Sequence, residues 1–364
     1  MENIIGSSGK ILNRFGFPEQ LMLIASRVQP LTGDLRHIHS MMLGEGDWKQ
    51  LHRVAVDNGV LSLVWKNLQK LDMPRWFWKE GRNIYVRTSL FNTKLFELLE
   101  EVLDALGSKG ICAVPMKGCS LIDSVYRDEG LRLMLDCDLL VREHDLFAIK
   151  EVMKAIGFNR RRILRSQHLY LKHGVKFELH WKLMTPKRFR ACFDTETIFS
   201  ECSVLPDRRF PAINPLREFL YIILHFYAHH NSLCLYRLVD IAELADRGVW
   251  DWEEMLEMAR SIKVEKILYF VLYLSHDMLG SRWNRQWAED VGVRGQMADR
   301  LSRFRRHSVL NGREDISELL LRWRVEFDLA GGMLRRLRTC LRPFTLKEVN
   351  KLIDAIQTFN SRTL

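Results

Sequence analysis

The sequence lacks every common pattern of paired cysteines. Its seven cysteines are scattered, odd in number and never spaced C-x-x-C, which excludes a disulfide framework and a zinc knuckle and fits free thiols in a reducing compartment. The cytoplasm is therefore the expected location. Long hydrophobic runs are missing too. The longest, around FLYIILHFYAHH, falls short of the roughly 20 apolar residues of a membrane span and carries histidines, so no membrane association is expected. MENIIGSSGK does not show the basic-then-apolar order of a secretory signal. Neither G-x-x-x-x-G-K-[ST] nor G-x-G-x-x-G occurs, which leaves P-loop and dinucleotide-binding folds without support. There is no internal repeat and no low-complexity tract.

What is present is a moderate excess of positive charge, 55 basic against 45 acidic residues. The arginines gather in NRRRILR (159–165) and again in RFRRH and RRLRTCLR, yet residues 301–343 hold ten arginines against five acids. Mixed charge of that kind suits a solvated helix face. It is compatible with a polyanionic ligand such as a nucleoside triphosphate, and no DNA partner is expected.

Periodicity divides the chain into three regions. Residues 1–109 read as helical: DWKQLHRVAVDNGVLSLVWKNLQKL repeats apolar residues at three- and four-residue spacing with Asp47 placed to cap its start, and SLFNTKLFELLEEVLDALGSKG ends in glycine. Between 110 and 210 the period changes. ICAVPMKG is strand-like, CSLIDSVYRDEG helix-sized, LMLDCDLLV strand-like and HDLFAIKEVMKAIGF helical, and LYLKHGVKFELHWKL alternates about His173-Gly174 as a hairpin. Residues 211–364 return to helix, with a tail from about 292 that carries the arginine-rich face. The expected architecture is α+β, a small mixed sheet flanked by N-terminal and C-terminal helical regions.

LMLDCDLLV is apolar except at Asp136 and Asp138. In a strand these two share one face and lie about 7 Å apart at Cα, close enough to converge on one divalent cation or to bridge two about 4 Å apart. Hard oxygen ligands suit Mg2+ or Mn2+. The spacing is weak evidence alone, since roughly five acid-x-acid triplets arise by chance at this acid content. Arginine neighbours or water would serve as well. VKFELHW (175–181) adds a third acid: Lys176, Glu178 and His180 face one way, and Val175, Phe177, Leu179 and Trp181 the other. MKGCS (116–120) adds a glycine turn between strand and helix, a place where backbone N–H groups meet anions.

The order of glycine turn, D-x-D strand and strand with one more acid resembles the nucleotidyltransferase superfamily typified by DNA polymerase β. MKGCSLIDSVYRDEGLRLMLDCDLLV and FELHW are similar in particular to a bacterial branch labelled uncharacterised nucleotidyltransferase, whose pattern runs K-G, Y, R-x-x-x-D-x-D-L-L-V, acid-x-H-W. The likeness spans most of residues 40–285 and is most specific at 116–181. It implies a polymerase β-like catalytic domain at 110–210 that uses Mg2+ (or Mn2+) and ATP or another nucleoside triphosphate. The transfer would go to an acceptor of unidentified class, whether small molecule, peptide, protein or RNA. It also implies that Asp136, Asp138 and Glu178 are catalytic and metal-binding, that Gly118 is the turn glycine, and that Lys117, Arg132 and His180 are further polar marks of the nucleotide site. One departure stands out. The superfamily's serine after the glycine is Cys119 here, so that Ser120 or Lys117 is expected to take the triphosphate contact, or the contact is weaker. Two other readings stay open, a catalytically degenerate nucleotide-binding or partner-binding protein and a basic RNA-binding module.

Other residues have two readings each. Arg237 and Asp240, at i and i+3, form either an intrahelical pair or a projection into the cleft where Arg237 would meet phosphate. His225 and His229 have metal-ligand spacing without the H-E-x-x-H acid and read as core or cleft-lining side chains, with His230 beside them. Trp181, Trp250 and Trp252 read as packing residues, with base stacking by one of them as the alternative, and Arg160, Arg161 and Arg162 as a solvated patch, with contact to a polyanionic acceptor as the alternative.

Overall fold

The computed structural model describes residues 16–30, 44–163, 166–184, 190–204, 208–228, 235–248 and 250–282. The arginine-rich tail, His229 and His230 lie outside the described residues. Four helices come first: α1 (Phe17–Ala25), α2 (Glu45–Asp57), α3 (Leu61–Leu68) and α4 (Arg75–Gly107). Helix α2 begins three residues earlier than the capping pattern predicts, with Gly44 rather than Asp47 as its cap. Asp47 therefore sits inside the first turn, where its carboxylate accepts the Gly44 N–H at 3.0 Å. At 33 residues α4 is about 50 Å long.

The central sheet follows, with β1 (Ala113–Met116), α5 (Gly118–Leu121), a π-helical turn (Ile122–Tyr126), β2 (Cys137–Val141), α6 (Leu146–Ala155), β3 (Asn159–Ile163), β4 (Gln167–Lys172) and β5 (Val175–His180). Strand order is β1-β2-β5-β4-β3. Only the β2–β5 pair is parallel, so the sheet is mixed and the fold is α+β, as expected. The predicted hairpin is β4–β5, and its turn residues His173 and Gly174 both have positive φ, the geometry that matches strand twist. β3 is an element that the sequence pattern hides: all five of its residues are exposed, so no alternation marks it. β2 is shorter than the predicted LMLDCDLLV, because residues 133–136 approach it as irregular chain.

Beyond the sheet lie α7 (Arg190–Phe193), α8 (Thr195–Glu201), α9 (Pro215–Ala228), α10 (Leu235–Arg247), α11 (Trp252–Ser261) and α12 (Glu265–Leu279). Two cores flank the sheet. On one face, Cys137, Leu139, Phe177, Leu179 and Tyr170 pack against α4 and α6. On the other, Val114, Met116 and Leu140 join a larger core built jointly from α1–α3 and α9–α12. The helices before and after the sheet thus share one interior. Polar contacts reinforce that union. Arg27, just past α1, donates to Glu243 Oε1 at 2.7 Å and Asp246 Oδ2 at 2.5 Å on α10 and to the Leu279 carbonyl at 2.8 Å on α12. Among the described residues no helix is long and apolar enough to cross a membrane.

Removing one member of a buried ion pair leaves the other uncompensated. Arg27→Ala should therefore lower unfolding free energy by about 3 kcal/mol in urea titrations, with the midpoint shifted and the slope kept.

Candidate active site

The approach to β2 passes Arg132, whose carbonyl accepts from Asn92 Nδ2 of α4 at 2.8 Å. The Arg132 side chain turns the other way and makes two parallel bonds to Asp240, 2.9 Å to Oδ1 and 2.7 Å to Oδ2. Tyr126 OH donates to the same Asp240 Oδ1 at 2.7 Å. Burial works against the Arg132 cation, but Asp240 outweighs it and raises its pKa. Asp240 therefore does not form the intrahelical pair with Arg237 that sequence spacing allows. It anchors α10 to the chain leading into β2, and Arg237 lines the cleft instead.

Strand pairing then assembles the acids. In the parallel β2–β5 ladder Asp138 stands opposite Glu178, and in the antiparallel β1–β2 ladder it stands opposite Met116, the residue before Lys117. β5 is an interior strand, so Glu178 belongs to the middle of the sheet rather than to a solvated edge. Asp138 is buried, and its Oδ1 takes two partners, Lys117 Nζ at 2.8 Å and His180 Nε2 at 2.8 Å. His180 Nε2 also lies 3.5 Å from Glu178 Oε2, which accepts from Gln167 Nε2 at 3.0 Å. Ligand atoms of Asp138, Glu178 and His180 all fall within 4.8 Å of one another, a geometry that can hold a metal ion. Asp136 lines the same cleft from just before β2, outside that tight triplet.

The electrostatics divide the two aspartates. Burial pushes the Asp138 carboxyl up, but the Lys117 charge and the His180 hydrogen bond overcome it and hold Asp138 well below the usual carboxylate range. Burial also lowers the His180 pKa, yet the bonds to Asp138 and Glu178 leave it raised. Asp136 moves the other way. Burial, then the charges of Asp138 and Glu178, push it up to about 6 despite Lys117 and Lys176. Asp136 thus sits among carboxylates that oppose its ionisation, a repulsion that a divalent ion would relieve.

Two backbone features shape the turn. Lys117 has φ 51° and ψ −119°, a conformation costly for a side chain with a Cβ, and it aims the ammonium at Asp138. Gly118 is required for close approach: a Cβ there would lie 2.6 Å from Arg132 Nη1 and 2.9 Å from Met134 Sδ. Cys119 faces inward, its Sγ 3.9 Å from Met134 Sδ and 3.5 Å from Cys137 Sγ. Ser120 is buried and accepts from Arg208 Nη2 at 2.6 Å, away from the cleft lining. Of the two residues expected at the triphosphate, the structure brings Lys117 to the cleft and not Ser120, whose hydroxyl is engaged by Arg208.

The cleft, about 240 Å³, brings together Lys117, Gly118, Asp136, Asp138, Glu178 and Arg237, with Arg132 in its wall and His180 on the acid cluster behind. Its aromatic members are Phe226 and Tyr236, which sequence reading did not single out, and His225 lines it too. Trp181, Trp250 and Trp252 are not part of the lining. Tyr221 was missed as well: it is buried on α9 beside Lys117, with its phenol pushed up to about 12 by burial. Its spacing among other apolar α9 residues gives no sign of that contact.

Because Asp136 ionises at about 6 in the folded chain against an ordinary 3.8, its carboxylate destabilises the metal-free fold. That penalty is full above pH 6 and fades as pH falls towards 4. Asp136→Asn should thus stabilise EDTA-treated protein by about 2 kcal/mol at pH 8 after allowance for partial exposure, and by little at pH 4, read as the difference in Tm. Gly118→Ala should force Arg132 and Met134 aside and cost about 1–3 kcal/mol, measured by denaturant unfolding.

Residues 44–280, well over half the chain, match the family described as uncharacterised nucleotidyltransferase. No curated protein sequence matches the chain. Among solved structures the fold is similar to that of ANT(2'')-Ia in complex with adenylyl-2''-tobramycin, at 12% identity and a TM-score of 0.31, covering 51% of this chain and 98% of that one. Terminal uridylyl transferase 4 from Trypanosoma brucei with bound GTP aligns at 12% identity and a TM-score of 0.22, covering 80% of this chain and 74% of that one.

Proposed function

The chain belongs to the uncharacterised nucleotidyltransferase family, and from that membership we propose that it transfers a nucleoside monophosphate from a triphosphate, ATP first among them, to an acceptor hydroxyl in the cytoplasm. The observation that carries this reading is the β2–β5 register, which sets Asp138 beside Glu178 in a cleft that also holds Lys117 and Arg237. Asp136, Asp138 and Glu178 would hold Mg2+ or Mn2+, because carboxylate oxygens are the hard donors such ions take and a bound cation would offset the repulsion that Asp136 meets from the other two. When bound, the ions neutralise developing phosphate charge and acidify a hydroxyl.

The remaining chemistry belongs to side chains. Glu178 accepts the proton of the attacking hydroxyl. The acceptor oxygen forms its bond to the α-phosphorus as the bond to the β-phosphate breaks, releasing pyrophosphate. Lys117 moves from its bond with Asp138 towards the triphosphate, and Arg237 meets the same anion from α10. His180 stays on Asp138 and fixes the carboxylate's orientation. Arg132, satisfied by Asp240, braces the wall rather than contacting phosphate.

One observation favours a second reading, that of a non-catalytic nucleotide binder. Cys119 and Ser120 both point away from the cleft, so no hydroxyl from the turn reaches a phosphate. Labelled ATP separates the two. With Mg2+ and cell extract, α-label should enter a product while γ-label should not, and EDTA should stop the transfer. Asp138→Asn should abolish transfer, and Glu178→Gln should lower kcat by about 10²–10⁴-fold with ATP still bound. Label that follows γ into product, or transfer that survives both substitutions, would overturn the proposal.

A further inference from the structure

We infer that the acceptor is anionic, and that Arg162 on β3 is the residue that reads its charge. The inference rests on the transferase reading and concerns the half of the sheet face that lies outside the two cores of the described residues. On that face the β1–β2 side is closed over: Met116 and Leu140 belong to the core formed with α9–α12. Beyond Glu178, among the described residues, the row no longer belongs to either hydrophobic core. The pairing register carries one row of side chains outward from the acids, Asp138 to Glu178 to Leu169 to Arg162. At about 4.8 Å per strand, Arg162 lies about 10 Å from Glu178.

The character of that row changes step by step. Gln167, Leu169 and Leu171 on β4 are half-buried, and Leu169 and Leu171 belong to neither hydrophobic core. Lys176, on the same face of β5 as Glu178, is exposed and close enough to lower the pKa of Asp136. Arg162 is exposed at the far end. An acceptor lying along this path would meet Glu178 with its hydroxyl, Leu169 with its carbon skeleton and Arg162 with its far end. A cationic far end would meet like charge from both Lys176 and Arg162, whereas a phosphate or carboxylate would meet two donors.

The arginine triplet itself contains the control. A register shift between Arg160 and Arg162 leaves Arg161 without a cross-strand partner, so the two flanking arginines fall in different rows. Arg160 pairs opposite Tyr170, in the row of Phe177 and Cys137 on the other face, and its charge lowers the His168 pKa there after burial. Arg162 and Arg160 are therefore two exposed arginines two residues apart on one strand, of which only one faces the acid cluster.

The test uses the full-length protein with α-labelled ATP and Mg2+. Cell extract is first separated into fractions retained on an anion exchanger, retained on a cation exchanger, and retained on neither. The expected result is labelled product from the anion-exchanger fraction alone. Arg162→Glu should reduce that transfer about tenfold or more through KM for the fraction, with KM for ATP unchanged, while Arg160→Glu leaves both values as they are. Labelling of a cationic or neutral acceptor would overturn the inference and leave the transferase standing. So would equal effects of the two substitutions, or a change in KM for ATP at Arg162→Glu. No labelled product from any fraction with unmodified protein would instead fail the transferase reading, and this inference with it.

Discussion

The structure of the cleft depends on one alignment, the parallel pairing of β2 with β5. In a strand, side chains alternate between faces, so a slip of one residue would turn Glu178 into the α4–α6 core and bring Phe177 or Leu179 to the cleft. The apolar alternation of β5 prevents the slip. Val175, Phe177 and Leu179 are buried on one side, and a one-residue slip would turn all three out of that core. The same burial that stabilises the sheet therefore locates the acids. Folding energy and the geometry of the cleft are set by the same few residues.

Neutralisation of the buried acids is the second constraint, and the chain meets it unevenly. Asp240 receives a bidentate guanidinium and a phenol, so that pair is closed and rigid. Asp138 receives an ammonium and an imidazole on a single oxygen. Asp136 is left with repulsion from its neighbours as its main electrostatic influence after burial. The three aspartates form a gradient from wall to working cluster. Strain follows the same gradient, since the residue that supplies the ammonium, Lys117, is also the one held at positive φ with ψ near −120°.

Much of this was legible in the sequence where period and chemistry coincide. The alternation of VKFELHW gave Glu178 its face, and the His173-Gly174 turn gave the hairpin. The four helices from Pro215 to Leu279 follow their 3.6-residue pattern. Legibility failed where local pattern carries no information about distant neighbours. β3 has no buried residue and so no period. Asp47 serves α2 from inside its first turn rather than before it. Ser120 was expected at the phosphates because of its place after a glycine, but Arg208, 88 residues away, claims its hydroxyl. Tyr221 is one more apolar-looking position on α9, and only the fold brings its phenol to Lys117.

The shared interior of α1–α3 and α9–α12 has a consequence for how the chain comes to be made. Arg27 is 216 residues from Glu243, its partner on α10. At ribosomal speeds of roughly 5–20 residues per second, α1 must wait on the order of ten seconds or longer for the helices that cover it. Until then Arg27 lacks its partners on α10 and α12, although α2 and α3 already pack on α1. The nascent protein thus has a long vulnerable interval, and the sheet with its acids is synthesised before the shell that seals it.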